Sequence, residues 1–536
     1  SENRTEWWMA DLATLALAGA SAPIYATNPA KDVAYIINDC LCELLLVSTA
    51  EQLDKIRKLK AEDKIPHLKR VIVFDAVDAP EEWIFTLDEV LARNAEDEDP
   101  IPARMEKINK DELATLIYTS GTTGEPKGVM LSHWNLVSNV IGAHVVLEVV
   151  DLPVKKMLSF LPLSHSFERT AGYYAAIHYG FTTAFAESVL KLVDNMGEVS
   201  PTVLVSVPRI YEKLYGKVMA GAQSGIKRTL VLWAIKVGKE HAGYRLENRQ
   251  APWWLNFRYG IATKLVFSKL HAKLGGRLQF AISGGAPLAA EIAHFLNAAG
   301  LTVFEGYGLS ETSPVIAANQ PGAIRVGTVG KPWPDTEIKI APEPDRERDG
   351  EIMARGQQIM MGYFNKPEQT AEVLEADGWF HTGDIGYIDD DGFIHITDRK
   401  KELLKTAGGK YVAPQPIENN LKVHGLVEQA VVIGDRRKYC VGLIVPAFEA
   451  LEAALGHELP IDLTELNDDP QVRSLYQACL DGVNKDLGSW ETIKRFYLLP
   501  AELSQETDEL TPTLKLKRRI IDEKYKEIID SMYPPE

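Results

Sequence analysis

Apolar positions along this chain fall into two patterns. Short, nearly continuous apolar runs recur through roughly the first 330 residues: Cys42-Glu-Leu-Leu-Leu-Val-Ser, Arg70-Val-Ile-Val-Phe-Asp, Lys156-Met-Leu-Ser-Phe-Leu-Pro, Val203-Leu-Val-Ser-Val-Pro, Leu278-Gln-Phe-Ala-Ile-Ser-Gly-Gly and Leu301-Thr-Val-Phe-Glu-Gly-Tyr-Gly. They are too short for helices and lack the alternation of half-exposed strands. They predict parallel strands buried on both faces, with ligands bound beyond the carboxyl ends. Helical periodicity lies between them, as in Ala50 to Lys60. Near the start, Glu6 to Ala16 reads as an amphipathic helix. The uncharged run Leu12 to Ala30 is broken by Gly19, Pro23, Asn28 and Pro29. It predicts a buried helix and then a strand over Ala22-Pro-Ile-Tyr-Ala, and no membrane span.

After Gly330 the pattern changes. Glu337-Ile-Lys-Ile, Gly350-Glu-Ile-Met-Ala-Arg-Gly and Gly386-Tyr-Ile-Asp-Asp-Asp-Gly-Phe-Ile-His-Ile predict β-structure, the last a hairpin turned by Asp391-Gly392. The charged segment Thr397-Asp-Arg-Lys-Lys-Glu then precedes a new alternation. The expected class is α/β. A large N-terminal domain, 1–397, would hold stacked αβ subdomains and a β-rich subdomain; a hinge follows at 398–402, then a small mobile α/β domain at 403–536.

Composition narrows this. At 536 residues the chain exceeds one core. A net charge of −17 disfavours nucleic acid. Cys40, Cys42, Cys440 and Cys479 have neither metal-site spacing nor the density of a disulfide framework, which fits a reducing cytoplasm. No signal peptide is visible, and the abrupt opening suggests that an N-terminal portion is missing.

The candidate chemistry starts at Thr119-Ser-Gly-Thr-Thr-Gly-Glu-Pro-Lys-Gly128. Gly121 and Gly124 let backbone N–H groups approach phosphate oxygens, Ser120, Thr122 and Thr123 add hydroxyl donors, and Lys127 adds charge. The spacing is not that of the Walker loop. This string resembles the signature of the adenylate-forming superfamily. Gly306-Tyr-Gly-Leu-Ser-Glu-Thr312, Gly378-Trp-Phe-His-Thr-Gly-Asp384, Asp398-Arg-Lys-Lys-Glu-Leu-Leu-Lys405 and Thr511-Pro-Thr-Leu-Lys515 resemble the family's other motifs, in its order. Leu161-Pro-Leu-Ser-His-Ser-Phe-Glu-Arg169 and Leu510 to Arg519 look most like bacterial long-chain fatty acyl-CoA synthetases.

The resemblance implies a set of roles. Thr119 and Glu311 would hold Mg²⁺, and Thr312 would touch the α-phosphate. Asp384, assisted by Arg399, would accept the ribose hydroxyls. Gly284, Gly285, Ala286, Glu305, Gly306, Tyr307 and Gly308 would form the adenine slot. His165 would line the site, and the position of a tryptophan gate found in some relatives holds Arg169 here. Lys515 would stabilise the charge that develops during adenylation, with Lys517 as the alternative. Lys401 would be the hinge, and Lys405 with Ala407-Gly-Gly-Lys410 would enter for thioester formation. Read singly, Glu311 is a helix-start carboxylate, the 382–384 segment a turn, Tyr307 core and the lysines solvated.

The expected activity is long-chain fatty acid–CoA ligation with ATP, Mg²⁺ and CoA. The alternatives are an acyl-AMP ligase that loads a carrier protein, and a silent acyl- or nucleotide-binding module. One feature stands outside these roles: residues 248–290 contain no Asp or Glu, while Arg249, Arg258, Lys264, Lys269, Lys273 and Arg277 interleave with aromatics. This reads equally as a peripheral membrane contact through 248–277 or as a core-packed helix with snorkelling lysines. A homodimer completes the partner expectations.

Overall fold

The computed structural model describes residues 1–78, 81–93, 101–119, 125–221, 225–343, 348–400, 402–511 and 515–533. A seven-stranded sheet carries the centre of the molecule. Its order is Lys331–Pro332, Val315–Ala318, Thr302–Gly308, Phe280–Ser283, Val203–Ser206, Lys156–Ser159, Thr182–Phe185. The last five strands run parallel, as their buried apolar runs require, and the first two join antiparallel. Helices cover it: Pro208–Ala220, Gly225–Leu246, Trp253–Ala262 and Ala290–Ala298 enclose a core around Phe267, Ala281, Phe295 and Val303. A three-stranded parallel sheet, Leu44–Val47, Arg70–Val73 and Ile84–Thr86, packs on Ala50–Ala61 near the start.

Two antiparallel sheets complete the larger part. Leu113–Thr119 pairs with Lys127–Ser132, which pairs with Gly362–Tyr363. Thr336–Pro342, Gly350–Gly356, Phe380–Ile388 and Ile394–Arg399 form a meander whose last turn holds Gly392 at φ +82°. The domain boundary expected after 397 falls inside this last strand, because Arg399 still pairs with Asp384.

The C-terminal part has its own cores. Val427–Ile433, Cys440–Pro446 and Ile493–Leu498 make a mixed sheet, flanked by Pro414–Lys422 and Pro470–Asn484. Two short helices, Arg518–Lys524 and Lys526–Ser531, follow, separated at Tyr525. This part docks on the larger one by charge. The Arg209 guanidinium donates to the Glu428 carbonyl at 2.6 Å and pairs with its carboxylate. Lys422 Nζ donates to Glu212 at 3.1 Å, where Glu212 is almost fully buried.

Two expectations near the start fail. Residues 22–26 form no strand; only Ser21 bridges, to Thr115. The helix Thr5–Ala16 buries Asp11 and leaves Met9 and Leu12 exposed. The reason is Arg169, which is fully buried and pairs with Asp11. It also donates to Thr115 Oγ1 at 2.7 Å and Tyr174 Oη at 3.0 Å, under the rings of Trp7 and Tyr174. A buried guanidinium demands a carboxylate, and the first helix turns its polar residue inward to supply one.

Candidate active site

A cavity of about 710 Å³ opens beyond the carboxyl ends of the central strands. Part of its lining is polar: Thr119, Lys127, His165, Glu311, Arg399 and Lys515. Another part is apolar, with Val140, Ala143, Val146 and Leu147 facing Ala171 and Ala175.

Thr119 and Lys127 sit opposite each other where their antiparallel strands part. The loop between them was expected to cradle phosphates; Ser120, Gly121, Thr122, Thr123 and Gly124 lie outside the described residues. Lys127 Nζ lies 4.7 Å above the Tyr363 ring, and Tyr363 Oη donates to Glu311 Oε1 at 2.8 Å. Tyr363 thereby ties the loop's lysine to the candidate metal ligand. The motif reading missed it, since a Gly-Tyr pair carries no pattern of its own. Among the described residues no cluster of His, Cys, Asp and Glu could hold a metal alone.

Glu311 projects from the short turn Ser310–Thr312. Thr312 does not reach the cavity. It is fully buried, and its hydroxyl accepts from Leu309 N at 2.9 Å and donates to Leu309 O or Pro314 O. It braces the turn that presents Glu311. Behind the turn, a Cβ on Gly308 would stand 1.6 Å from Pro314 O, so only glycine fits there. Glu305 is not among the lining residues either. It accepts a backbone hydrogen bond from Leu288, and burial raises its carboxyl to about 8. It supports the 284–288 loop from behind, while Gly284 and Gly285 line the cavity. A Cβ on Gly284 would meet the Phe167 ring at 2.9 Å, and Gly285 has φ +80°. Ala286 is exposed beside them. Gly306 and Tyr307 line the cavity from the central strand.

Asp384 is buried between two partners. Tyr307 Oη donates to its Oδ2 at 2.7 Å, and Arg399 Nε lies 3.1 Å from its Oδ1. Each carboxylate oxygen keeps a lone pair for a further donor. Burial raises the Asp384 carboxyl against the lowering pull of Arg399.

Lys515 distinguishes itself from Lys517. Lys517 also lines the cavity, but its Nζ is paired with Asp508. Lys515 is anchored to Thr511, whose N donates to Lys515 O at 2.8 Å and whose Oγ1 accepts from Lys515 N at 3.0 Å. Its ammonium lies among Arg399, Asp384, Glu402 and Glu311; burial, then Arg399, lowers its pKa. The same charge reaches His165. Burial and Lys515 depress His165 to about 3, so the ring is neutral. Its Nδ1 accepts from Phe167 N at 3.1 Å, which leaves Nε2–H as the donor.

Lys405 is not brought to this group. It is exposed, stacks on Tyr411 at 5.1 Å, and sits on the small hairpin Leu404–Lys405 and Tyr411–Val412. Lys401 lies outside the described residues. Its neighbours are anchored: Lys400 Nζ donates to Glu343 at 2.7 Å, and Arg399 to Glu402 at 3.4 Å.

Comparison with known proteins follows this geometry. The sequence model described as AMP-binding enzyme matches residues 1–364, and that of the AMP-binding enzyme C-terminal domain matches residues 401–536. The long-chain-fatty-acid–CoA ligase FadD15 of Mycobacterium bovis is 36% identical over 100% of this chain and 87% of its own length. The human long-chain-fatty-acid–CoA ligase ACSBG1 is 34% identical over 99% of this chain and 76% of its own. Among solved structures, the adenylation domain of a carboxylate reductase from Mycobacterium chelonae superposes with a TM-score of 0.75 at 24% identity, covering 99% of this chain and 79% of that one. The anthranilate CoA ligase AuaEII, solved with anthranoyl-AMP, gives 0.73 at 18%, covering 99% and 87%.

Proposed function

The chain belongs to the AMP-binding enzyme family, and from that membership together with its cavity we infer that it is a long-chain fatty acid–CoA ligase. The observation that carries the reading is the meeting of Lys515, Glu311, His165 and the Asp384–Arg399 pair with an apolar wall in one cavity. Such a site suits an anionic headgroup, a nucleotide and a hydrocarbon chain together.

In the first half-reaction the fatty carboxylate attacks the α-phosphorus of ATP. The bond to the bridging oxygen breaks, and pyrophosphate leaves with the electron pair. Two anions must approach, so the chain's part is neutralisation and alignment. Lys515 and Arg399 supply positive charge, neutral His165 offers a donor at Nε2, and Asp384 offers acceptor capacity to the ribose hydroxyls. Mg²⁺ fits the donor set: Glu311 keeps one oxygen beyond its bond to Tyr363, and Thr119 lines the same cavity. Those two residues would hold the ion, which would offset phosphate charge when bound. In the second half-reaction the CoA sulfur attacks the acyl carbon and AMP departs. Lys405 and the 407–410 loop are the candidates to enter for it, after the C-terminal part turns about 398–402.

The test is ATP–pyrophosphate exchange with a panel of saturated fatty acids, followed by addition of CoA. Exchange with long-chain acids and conversion to acyl-CoA are expected. Exchange without the CoA ester would transfer the reading to a carrier-loading acyl-AMP ligase, and no exchange would leave only a binding module.

A further inference from the structure

The helical run from Trp253 to Phe267 has two apolar faces. The inner face is accounted for: Leu255, Ala262 and Phe267 are buried, the last two in the main core with Leu270. The outer face is Trp253, Phe257, Ile261 and Leu265, a stripe at steps of four residues. Its exposures are 81%, 66%, 38% and 48%. At the helical rise this stripe is about 18 Å long. Trp254, 40% exposed, widens it. Scattered single apolar residues on a surface need no explanation, but an ordered stripe of this size does.

The charge around the stripe supplies the second argument. Arg258 lies 5.9 Å from the Trp254 ring. Lys264, Lys269, Lys273 and Arg277 follow in a segment without a single carboxylate, in a chain of net charge −17. Among the described residues none of these five cations makes an ion pair, whereas acid-flanked Arg249 pairs with Glu247 at 2.6 Å. The cations therefore remain available to an external anion.

We propose that this face docks the protein on an anionic phospholipid bilayer, with Trp253, Phe257, Ile261 and Leu265 inserted to the headgroup level and Arg258, Lys264, Lys269 and Lys273 set against lipid phosphates. Tryptophan suits that depth, because its apolar body and N–H divide between acyl boundary and water. No helix among the described residues is long and apolar enough to cross the membrane, so the contact is peripheral. A second copy is the poorer occupant: isologous pairing would oppose like charges with no acid in the segment to offset them. The bilayer is also where a long-chain fatty acid partitions, but the surface argument does not depend on the ligase reading.

The experiment is co-sedimentation of the full chain with vesicles of phosphatidylcholine alone and of phosphatidylcholine mixed with phosphatidylglycerol. Binding to the anionic vesicles only, falling with salt, is expected. Lys264→Glu with Lys269→Glu should weaken it by about 25-fold or more at low salt, since each interfacial cation is worth about fivefold. Trp253→Ser with Phe257→Ser should weaken it about tenfold or more with an unchanged melting temperature, because both side chains are solvent-facing. In the unaltered protein, phosphatidylglycerol brominated on its acyl chains should quench tryptophan fluorescence, which needs no variant. Equal binding to both vesicle types, variants that bind like the parent, absent quenching, or a dimer that the aromatic variant makes monomeric would each overturn the proposal. Lipid binding is read without ATP, CoA or turnover, so its failure and that of the ligase reading are separate results.

Discussion

Lys515 and Lys517 stand two positions apart and meet opposite environments. Lys517 is neutralised by Asp508, while Lys515 is buried beside Arg399, which favours loss of its proton. Adenylation needs the charged form. Its alkaline limb should therefore fall below the range of an ordinary lysine, whose reference value is 10.5. Lys515→Arg, which does not titrate there, should move the limb upward in pyrophosphate-exchange profiles, and an unmoved limb would reject the role. Lys515→Ala should slow adenylation by about 10²–10³-fold while acyl-CoA formation from supplied acyl-AMP persists. Glu168 gives a stability counterpart. It is buried, its Oε1 accepts from Ser159 Oγ at 2.6 Å while Oε2 has no hydrogen-bond partner, and burial raises it from 4.5 to about 8. The folded state thus holds a proton that the unfolded chain releases. Stability is full below about 4.5 and is lost between there and about 8, at about 1.4 kcal/mol per pH unit. Glu168→Gln should flatten that slope in denaturant titrations across the window; an unchanged slope would place the proton elsewhere.

At the level of elements, the hairpin carrying Lys405 points its tip, 407–410, into solvent. Lys405→Ala should leave pyrophosphate exchange within about twofold and slow acyl-CoA formation, by analogy with other interactions made in only one step. Equal slowing of both half-reactions in separate assays would contradict this. The elements also explain what the sequence could disclose. Parallel strands were legible because burial on both faces leaves continuous apolar runs, and motif residues were legible as a set. Which way each motif residue points was not. Glu305 and Thr312 share motifs with Tyr307 and Glu311 yet are not among the cavity's lining residues: the Glu305 carboxyl is engaged by the Leu288 backbone, and the Thr312 hydroxyl by the backbone of its own turn. Asp11 was illegible for a related reason: its partner Arg169 lies 158 positions away, and periodicity assigns a polar residue outward. Tyr363 needed the sheet pairing Tyr363–Val129 before its reach to Glu311 could be seen.

Across the whole molecule, ion pairs join the two parts, beside the packing of Val423 on the main core. Arg209, Glu212 and Lys213 on one helix meet Lys422 and Glu428 on the other side. Their geometry coincides with Lys515 inside the cavity and Lys405 outside, so under the proposed turn about 398–402 these pairs would favour the adenylating arrangement. Reversing one pair's charge, as in Glu428→Lys, should lower pyrophosphate exchange about two- to fivefold, the usual range for partly exposed ion pairs, without slowing thioester formation from acyl-AMP. Restoration by Arg209→Glu with Glu428→Lys would confirm the pairing, and no recovery in that double variant would refute it. The Asp11–Arg169 pair acts at the same scale through a different property. Arg169 lies four residues beyond His165, in the wall of the site, and its carboxylate comes from the first helix. A chain clipped by a protease between that helix and the sheet keeps every motif residue. It also keeps a naked guanidinium in its interior, at a cost of about 3–5 kcal/mol. Damage at the front end is thereby converted into instability at the centre. The cell's degradation machinery would remove such a fragment as unfolded protein before it could bind ATP or fatty acid and withhold them from intact copies.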